Sequence, residues 1–424
     1  MNRLIAVMNT AERKYEGGAN CMAKRPKKIM FIVEAMGGGV FTYIVDLANE
    51  LVNMTDEHGA AIYDMYVAYG IRKQTPKDYK RYFDKKIHLI KVENFERSIN
   101  ATKDIKAFFE IKKIAREVKP DIIHLHSSKA GALGRVAFNR YKVDGKFVPL
   151  FYTPHGYSFL MKNHSAAKRM AYKVIEGGCG KLKCTTISCS KGEHEESLKF
   201  NKRAIYVDNG IKVKELEKNL DKIKVEEHPF TVFTLGRICY QKNPEMFNRV
   251  AEAMPDVKFL WIGDGDLRDE LKSKNIEITG WVVRKIALEK SMTADVFVLT
   301  SLWEGLPISL LEAMYMKKPC VVSDVIGNRD VIQSGINGYV CEDVDKFVKA
   351  IETVKTGNIE ALIRNAYHDI INKYNTTIMA EKYSGIYMNK LPETIRLGGG
   401  GAQHEVIFTA FCCQPTAREA VAAW

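Results

Sequence analysis

The chain has 424 residues, 46% hydrophobic and 27% charged, which excludes a disordered polypeptide and exceeds what one ordinary core accommodates, so two domains are expected. The formal net charge is +13, and all of the excess sits in one half: residues 1–210 hold 37 Lys/Arg against 22 Asp/Glu, residues 211–424 hold 27 against 29. An anionic partner of the first half (phospholipid, lipid-linked phosphate or nucleic acid) and a merely solvated lysine-rich exterior both fit that asymmetry.

Residues 1–23 contain a short apolar run broken at once by Thr, Glu, Arg and Lys, without the hydrophobic region of a signal peptide. They are expected to lie outside the fold, and the protein to stay in the cytoplasm. From Lys27 onward short β-branched runs alternate with helical patterns, the form of repeated βα units and a parallel sheet. KKIMFIVE, YDMYVAYG, KKIHLIKV, DIIHLHS, PLFYTPHG, KCTTISCS and AIYVDNG are the candidate strands of a first domain over residues 24–210. Helices are predicted near Val40 to Asn53, Ile105 to Val118 and Ala130 to Tyr141.

The polar stretch 211–228 interrupts the alternation and is read as a linker. FTVFTLGR, KFLWIGDG, IEITGW, ADVFVLTS, PCVVSDV and NGYVCED then supply the strands of a second α/β domain over 229–375, with helices near Asn243 to Met254, Ile308 to Met316 and Val344 to Val354. Residues 376–397 are expected to form a helix crossing back to the first domain. Residues 398–424 begin with a glycine run and show no periodicity, which marks a vector-derived or disordered tail. The longest apolar runs fall far below the roughly 18 residues that suggest a spanning helix, so any membrane contact is peripheral. The nine cysteines form no CxxC pair and, with His124 and His126 lacking a third ligand, give no metal site.

Ligands of open α/β sheets bind beyond the carboxyl ends of the strands. There the string Thr300 to Asn328, TSLWEGLPISLLEAMYMKKPCVVSDVIGN, runs from a strand through a loop into a helix near Ile308. Glu304 ends the strand and Glu312 lies one turn into the helix, so both can face one crevice. Unpaired backbone N–H groups at the helix start, with the positive end of its dipole, suit a diphosphate. Arg237 and Lys242 follow the first strand of the second domain and can neutralise it. Gly263 and Gly265 end the next strand, where missing Cβ atoms let backbone approach a ligand. In the first domain Gly37, Gly38 and Gly39 open a helix after a strand, without the spacing of the dinucleotide fingerprint. His155 ends a strand, and Asn209 lies in DNGI.

The E-x7-E spacing of Glu304 and Glu312, followed by EAM, KPCV and GN, resembles the retaining glycosyltransferases of family 4, whose GT-B architecture has two facing Rossmann-like domains. MGGGV at Met36, TPHGY at Thr153, DNGI at Asp208, LGRICYQKNP at Leu235 and WIGDGDLRDEL at Trp261 agree in order, so the resemblance spans roughly residues 27–390. It implies that His155, Arg237, Lys242 and Glu304 form the reaction centre. It also implies that Gly38, Gly39, Asn209, Gly236, Gly263, Gly265, backbone near Val282, the segment Gly305 to Ser309 and Glu312 hold a nucleotide-sugar, expected to be a UDP-sugar. No cofactor or metal ion is implied, and the acceptor would be a glycan or lipid-linked sugar in cell-surface polysaccharide synthesis. The helix Ile105 to Val118 is amphipathic and basic, and could dock on an anionic bilayer, although core packing explains its pattern as well. A sugar-nucleotide epimerase of the same architecture and a basic nucleic-acid-binding protein are the rival readings; the segment order favours neither nucleic acid nor any particular oligomer.

Overall fold

Strands form where the β-branched runs were, and the central ones, Lys27–Val33, Ile122–His126, Thr231–Leu235 and Val296–Leu299, are buried on both faces along most of their length, as strands enclosed between helices are. The computed structural model describes residues 25–389 except 35, 73–74, 97–99, 162–163 and 226. The predicted extension 1–23, the tail 398–424 and the end of the 376–397 segment lie outside the described residues.

The first domain contains β1 (Lys27–Val33), β2 (Tyr63–Tyr69), β3 (His88–Lys91), β4 (Ile122–His126), a small antiparallel hairpin of β5 (Lys142–Val143) and β6 (Lys146–Phe147), then β7 (Leu150–Thr153), β8 (Thr185–Ser188) and β9 (Ile205–Tyr206). Its helices are α1 (Gly38–Val52), α2 (Ala101–Val118), α3 (Ser128–Ala137), α4 (Ala166–Gly180) and α5 (Lys191–Leu198). The second domain contains β10 (Thr231–Leu235), β11 (Lys258–Ile262), β12 (Ile276–Ile278), β13 (Val296–Leu299), β14 (Cys320–Ser323) and β15 (Tyr339–Cys341). Its helices are α6 (Val213–Leu220), α7 (Pro244–Glu252), α8 (Arg284–Met292), α9 (Ile308–Tyr315), α10 (Ile326–Arg329), α11 (Val344–Thr356) and α12 (Glu360–Asn372), and a last helix, α13 (Thr376–Tyr387), follows. Side-chain oxygens start several helices where the sequence places Asn, Ser or Asp: Asn100 accepts from Lys103 N–H, Ser190 from Glu193 N–H, Asn243 from Met246 N–H just before Pro244, and Asp343 from Lys346 N–H.

Both sheets are parallel, in the orders β3-β2-β1-β4-β7-β8-β9 and β12-β11-β10-β13-β14-β15. Strand order therefore reverses between β1 and β4 in the first sheet and between β10 and β13 in the second. At such a point the two connections leave to opposite faces and open a crevice. Ile29, Phe31, Val67 and Tyr63 on one side of the first sheet, and Phe233, Phe297, Leu310 and Val322 in the second, are buried in separate cores.

The segment 211–228 is more than a connector. Its Ile211 and Leu216 are buried in the second core, and α6 packs against α8. The last helix leaves the second domain at once: Ile211 and Asn375 form a parallel bridge, Thr376 N–H donates to Ile211 O at 3.0 Å, and α13 sinks Met379, Ala380, Tyr383, Ile386 and Tyr387 into the first core. Two neighbouring chain passages thus join the domains. The predicted basic helix divides its apolar residues: Ile114 and Val118 are buried, whereas Ile105 and Phe109 face solvent. Helix α4 was not predicted, since Met170, Val174 and Ile175 point outward and leave no core-facing period to read.

Tyr383 is fully buried and its hydroxyl accepts from that of Tyr43 on α1 at 2.5 Å. Tyr383→Ala is expected to destabilise the protein by about 3 to 5 kcal/mol, as a large-to-small core change does. A urea midpoint equal to that of the wild type would mean that α13 contributes nothing to the first core.

Candidate active site

The two crevices face each other and form one cleft of about 580 Å³, a volume within the usual range for small-ligand sites. Loops after β1, β2, β7, β8 and β9 line it from the first domain, loops after β10, β11, β12 and β13 from the second. Of the predicted residues, Gly38, Gly39, His155, Asn209, Gly236, Arg237, Lys242, Gly263, Val282, Glu304, Gly305, Leu306, Pro307, Ile308, Ser309 and Glu312 line the cleft. Gly265 does not; a Cβ there would stand 2.0 Å from Ile238 O, so it serves the packing of the turn rather than a ligand.

Glu304 is the most constrained of these side chains. Lys242 Nζ donates to its Oε1 at 2.7 Å, Ser301 Oγ to the same atom at 2.6 Å, and Gln241 Nε2 to Oε2 at 3.3 Å. Thr300 Oγ1 in turn donates to Lys242 O at 2.8 Å, which ties the loop after β10 to the loop after β13. A carboxylate held this way has fixed lone pairs to offer to hydroxyl groups and is hindered from acting as a free nucleophile. Glu312 is buried beside Arg284, whose Nη2 lies 2.7 Å from Oε1. That contact is an ion pair without a donor in line, since Oε1 has no hydrogen bond, and it leaves acceptor capacity facing the cleft. Arg237, by contrast, has no carboxylate partner among the described residues.

The floor is backbone. Gly236 and Gly263 have φ of +152° and +140°, conformations open to glycine, and a Cβ on Gly263 would lie 2.1 Å from Gly236 O. Helix α9 begins after Pro307 with no side-chain cap, so its first N–H groups are available to an anion. Across the cleft Gly305 approaches Gly156: a Cβ on Gly305 would be 3.5 Å from Gly156 N. Asn209 spans the same gap, its Nδ2 donating to Leu306 O at 2.9 Å while Oδ1 has no partner.

His155 has φ +56° and its ring turns inward. Nε2 lies 3.1 Å from His126 Nδ1, and Nδ1 lies 3.4 Å from Cys189 Sγ. His126 stacks near His124, ring centroids 4.1 Å apart, and His124 bonds Tyr387 Oη and Thr153 Oγ1 at 2.6 and 2.8 Å. The predicted structural role of His124 and His126 is therefore a buried polar column reaching from α13 to the cleft. Burial holds all three imidazoles neutral: it lowers His155 to about 3 and pushes His124 and His126 well below the ordinary value.

Sequence reasoning missed several lining residues. Arg72 lies across the Gly37 turn, where a Cβ would meet its Nε at 2.4 Å, and Tyr43 sets its ring edge-on to His155 at 4.5 Å between centroids. Gln241, Arg284 and Trp303 also line the cleft. Gln241 and Trp303 are chain neighbours of Lys242 and Glu304, a proximity legible in the sequence; Arg72 and Tyr43 carry no such signal.

Residues 37–215 match the profile of Glycosyltransferase Family 4, and residues 229–356 that of Glycosyl transferases group 1. The chain is 29% identical over 342 residues to a UDP-Gal:alpha-D-GlcNAc-diphosphoundecaprenol alpha-1,3-galactosyltransferase of Escherichia coli, over 73% of this chain and 85% of that one. It is 26% identical over 297 residues to an uncharacterized 41.2 kDa protein in the cps region of Klebsiella pneumoniae, over 66% of this chain and 82% of that one. Among solved structures, sucrose-phosphate synthase from Thermosynechococcus elongatus superposes with TM-score 0.70 at 16% identity, over 86% of this chain and 99% of that one. Anabaena HepE in complex with UDP and glucose superposes with TM-score 0.66 at 16% identity, over 86% and 100%. At such identities these structures establish the architecture, the two facing domains of GT-B.

The neutral histidines make stability pH-dependent. An unfolded imidazole titrates near 6.5, whereas folded His155 resists protonation down to about 3, so only the unfolded chain takes up these protons in that window. Stability is then full above pH 6.5 and falls as pH drops toward 3, by about 1.4 kcal/mol per pH unit for each histidine. Urea midpoints from pH 8 to pH 5 should show the loss, and His155→Asn should reduce its slope. A flat profile would mean that the folded rings are protonated.

Proposed function

Because this chain belongs to the family 4 glycosyltransferases, we propose that it moves a hexosyl group from a UDP-sugar to a glycan or lipid-linked acceptor with retention of anomeric configuration, as a step in cell-surface polysaccharide assembly. The observation that carries the donor reading is the guanidinium of Arg237, which lines the cleft and has no carboxylate partner among the described residues, together with the Lys242–Glu304 pair and the uncapped start of α9. A nucleoside diphosphate supplies the missing negative charge. The E. coli relative named above uses UDP-Gal, and the HepE structure is a complex with UDP and glucose, which favours uracil as the base, set against backbone near Val282. The rival readings, an epimerase and a nucleic-acid-binding protein, find no support among these matches.

In this reading the diphosphate lies on Arg237, Lys242 and the N–H groups from Ile308, Glu312 accepts from ribose hydroxyls, and Glu304 accepts from hydroxyls of the sugar. The bond from the anomeric carbon to the β-phosphate oxygen breaks as negative charge grows on that oxygen, where the two cations and the helix start stabilise it. The acceptor oxygen bonds to the anomeric carbon on the face the phosphate leaves, and its proton passes to the phosphate oxygen. No side chain needs to form a covalent intermediate, consistent with the three donors that hold Glu304. His155, neutral and engaged on its inner side, shapes the sugar pocket and shuttles no proton at neutral pH. The leaving group's charge is met by protein cations, so EDTA is expected to leave the rate unchanged.

Removing Lys242 or Glu304 tests this directly. Lys242→Ala and Glu304→Ala are each expected to lower kcat by about 10²–10³-fold, the size of losing one transition-state contact, with far-UV circular dichroism unchanged. Arg237→Ala should weaken UDP binding in a thermal-shift titration. Normal turnover by the Lys242 or Glu304 variant, or unchanged UDP binding by the Arg237 variant, would refute the assignment.

We propose a location for the acceptor from charge and exposed apolar side chains. No helix among the described residues is long and apolar enough to cross a membrane, yet α2 and α4 each set bare apolar side chains among cations. Phe109 is 63% exposed near Lys106 and Lys113 in sequence, and Val174 is 67% exposed near Lys173. We place this face of the first domain against the anionic inner surface of the cytoplasmic membrane, where a lipid-linked acceptor is presented. Sedimentation with phosphatidylglycerol vesicles at low salt should be strong and should drop for Phe109→Glu with Val174→Glu; no sedimentation of the wild type would exclude docking.

A further inference from the structure

Two aromatic side chains stand together at the edge of the cleft: Trp303 lines it and Tyr240 adjoins Trp303 just outside. Tyr240, in the helical turn Tyr240–Lys242, is 47% exposed, and the half-buried Trp303 lies beside it with ring centroids 6.0 Å apart and planes at 45°. Folding normally removes such surface from water. Here it is held out on a braced support: Leu302 N–H donates to Gln241 O at 2.8 Å, and Gln241 Nε2 donates to Trp303 O at 3.0 Å. The same Gln241 amide reaches Glu304. The rings are therefore carried by the two loops that hold the Lys242–Glu304 pair, one residue from Glu304 and two from Lys242 along the chain.

A pyranose has an apolar face of C–H groups with slight positive charge and an equator of hydroxyls. An aromatic face attracts the former, while a neighbouring amide donates to or accepts from the latter and a carboxylate accepts from it, a combination that a phosphate or an alkyl chain does not use. Trp303 lines the cleft together with Gln241 and Glu304, so a ring stacked there lies next to the sugar that Glu304 contacts, where the second substrate of a glycosyl transfer must arrive. The geometry points to Tyr240 and Trp303 as a subsite for a pyranose of the acceptor. The acceptor consequently ends in a sugar and is not a bare lipid phosphate. This inference rests on the reading of Glu304 and Lys242 as donor-sugar contacts.

The test measures binding in the presence of saturating UDP, using short-chain alkyl diphosphates that carry glucose, galactose or N-acetylglucosamine, with the unglycosylated alkyl diphosphate as control. Wild-type protein is expected to bind at least one glycosylated probe more tightly than the control. Tyr240→Ala and Trp303→Ala should each weaken that probe by about tenfold, the equivalent of an aromatic contact of ~1.4 kcal/mol. Trp303→Phe should restore most of the affinity, the control's affinity should not change, and the UDP-induced thermal shift should persist in every variant. Equal affinity of all probes and the control, or unaltered glycosylated-probe binding by both alanine variants, would overturn the subsite. So would a rise in donor KM in place of weakened acceptor binding, which would assign the rings to the donor sugar or to domain closure. Absence of any UDP shift in the wild type would instead sink the donor reading and be seen separately.

Discussion

Reversal of strand order in each sheet is the constraint on which the site depends. A loop that leaves β1 and one that leaves β4 must part to opposite faces, and the same holds for β10 and β13, so each domain is left with an unfilled notch at the carboxyl ends of its strands. Two notches set face to face make a cleft whose walls are loops and whose floor is backbone. That is why glycines and charged residues gather at the strand ends around the cleft while the middles of the central strands are buried.

Within the cleft the charges are arranged in unequal pairs. Lys242 is matched by Glu304 and Arg284 by Glu312, whereas Arg237 has no acid beside it among the described residues. The enclosed Lys242–Glu304 pair adds little net stability because desolvation offsets attraction, and the Arg284–Glu312 pair, open to water at its arginine, adds little because solvent screens it; the effect of both is to fix the direction of two carboxylates. The surplus positive charge, with the start of α9, then favours an anion at one place. Positioning and attraction are thus supplied by different residues of the same loops.

The first domain contributes neutral, enclosed chemistry. His124, His126 and His155 form a column that runs from the last helix to the cleft, and the tyrosines of that helix close its inner end. Because α13 starts at the interdomain bridge between Ile211 and Asn375 and ends in the first core, the cleft wall around His155 is packed on a segment that follows the second domain in the chain. The two halves of the site are joined covalently and through packing.

The amino-acid sequence by itself determined the two α/β units, because the 2-residue and 3.6-residue periods of apolar side chains are local properties. It also determined the Glu304–Glu312 spacing, the cations Arg237 and Lys242, and the returning helix as a candidate. Sixteen of the seventeen predicted site residues line the cleft, since strand ends can be read from the runs that precede them. Tertiary structure alone decided which partners these residues have. That Glu312 meets Arg284, that Arg72 lies across Gly37, that Asn209 ties the Leu306 loop, and that His155, while lining the cleft, sets its ring nitrogens against His126 and Cys189 are contacts between distant segments. No local period encodes them. The outward face of α4 and the paired rings of Tyr240 and Trp303 were hidden for the same reason: whether an apolar side chain is core or surface depends on what the rest of the chain places over it.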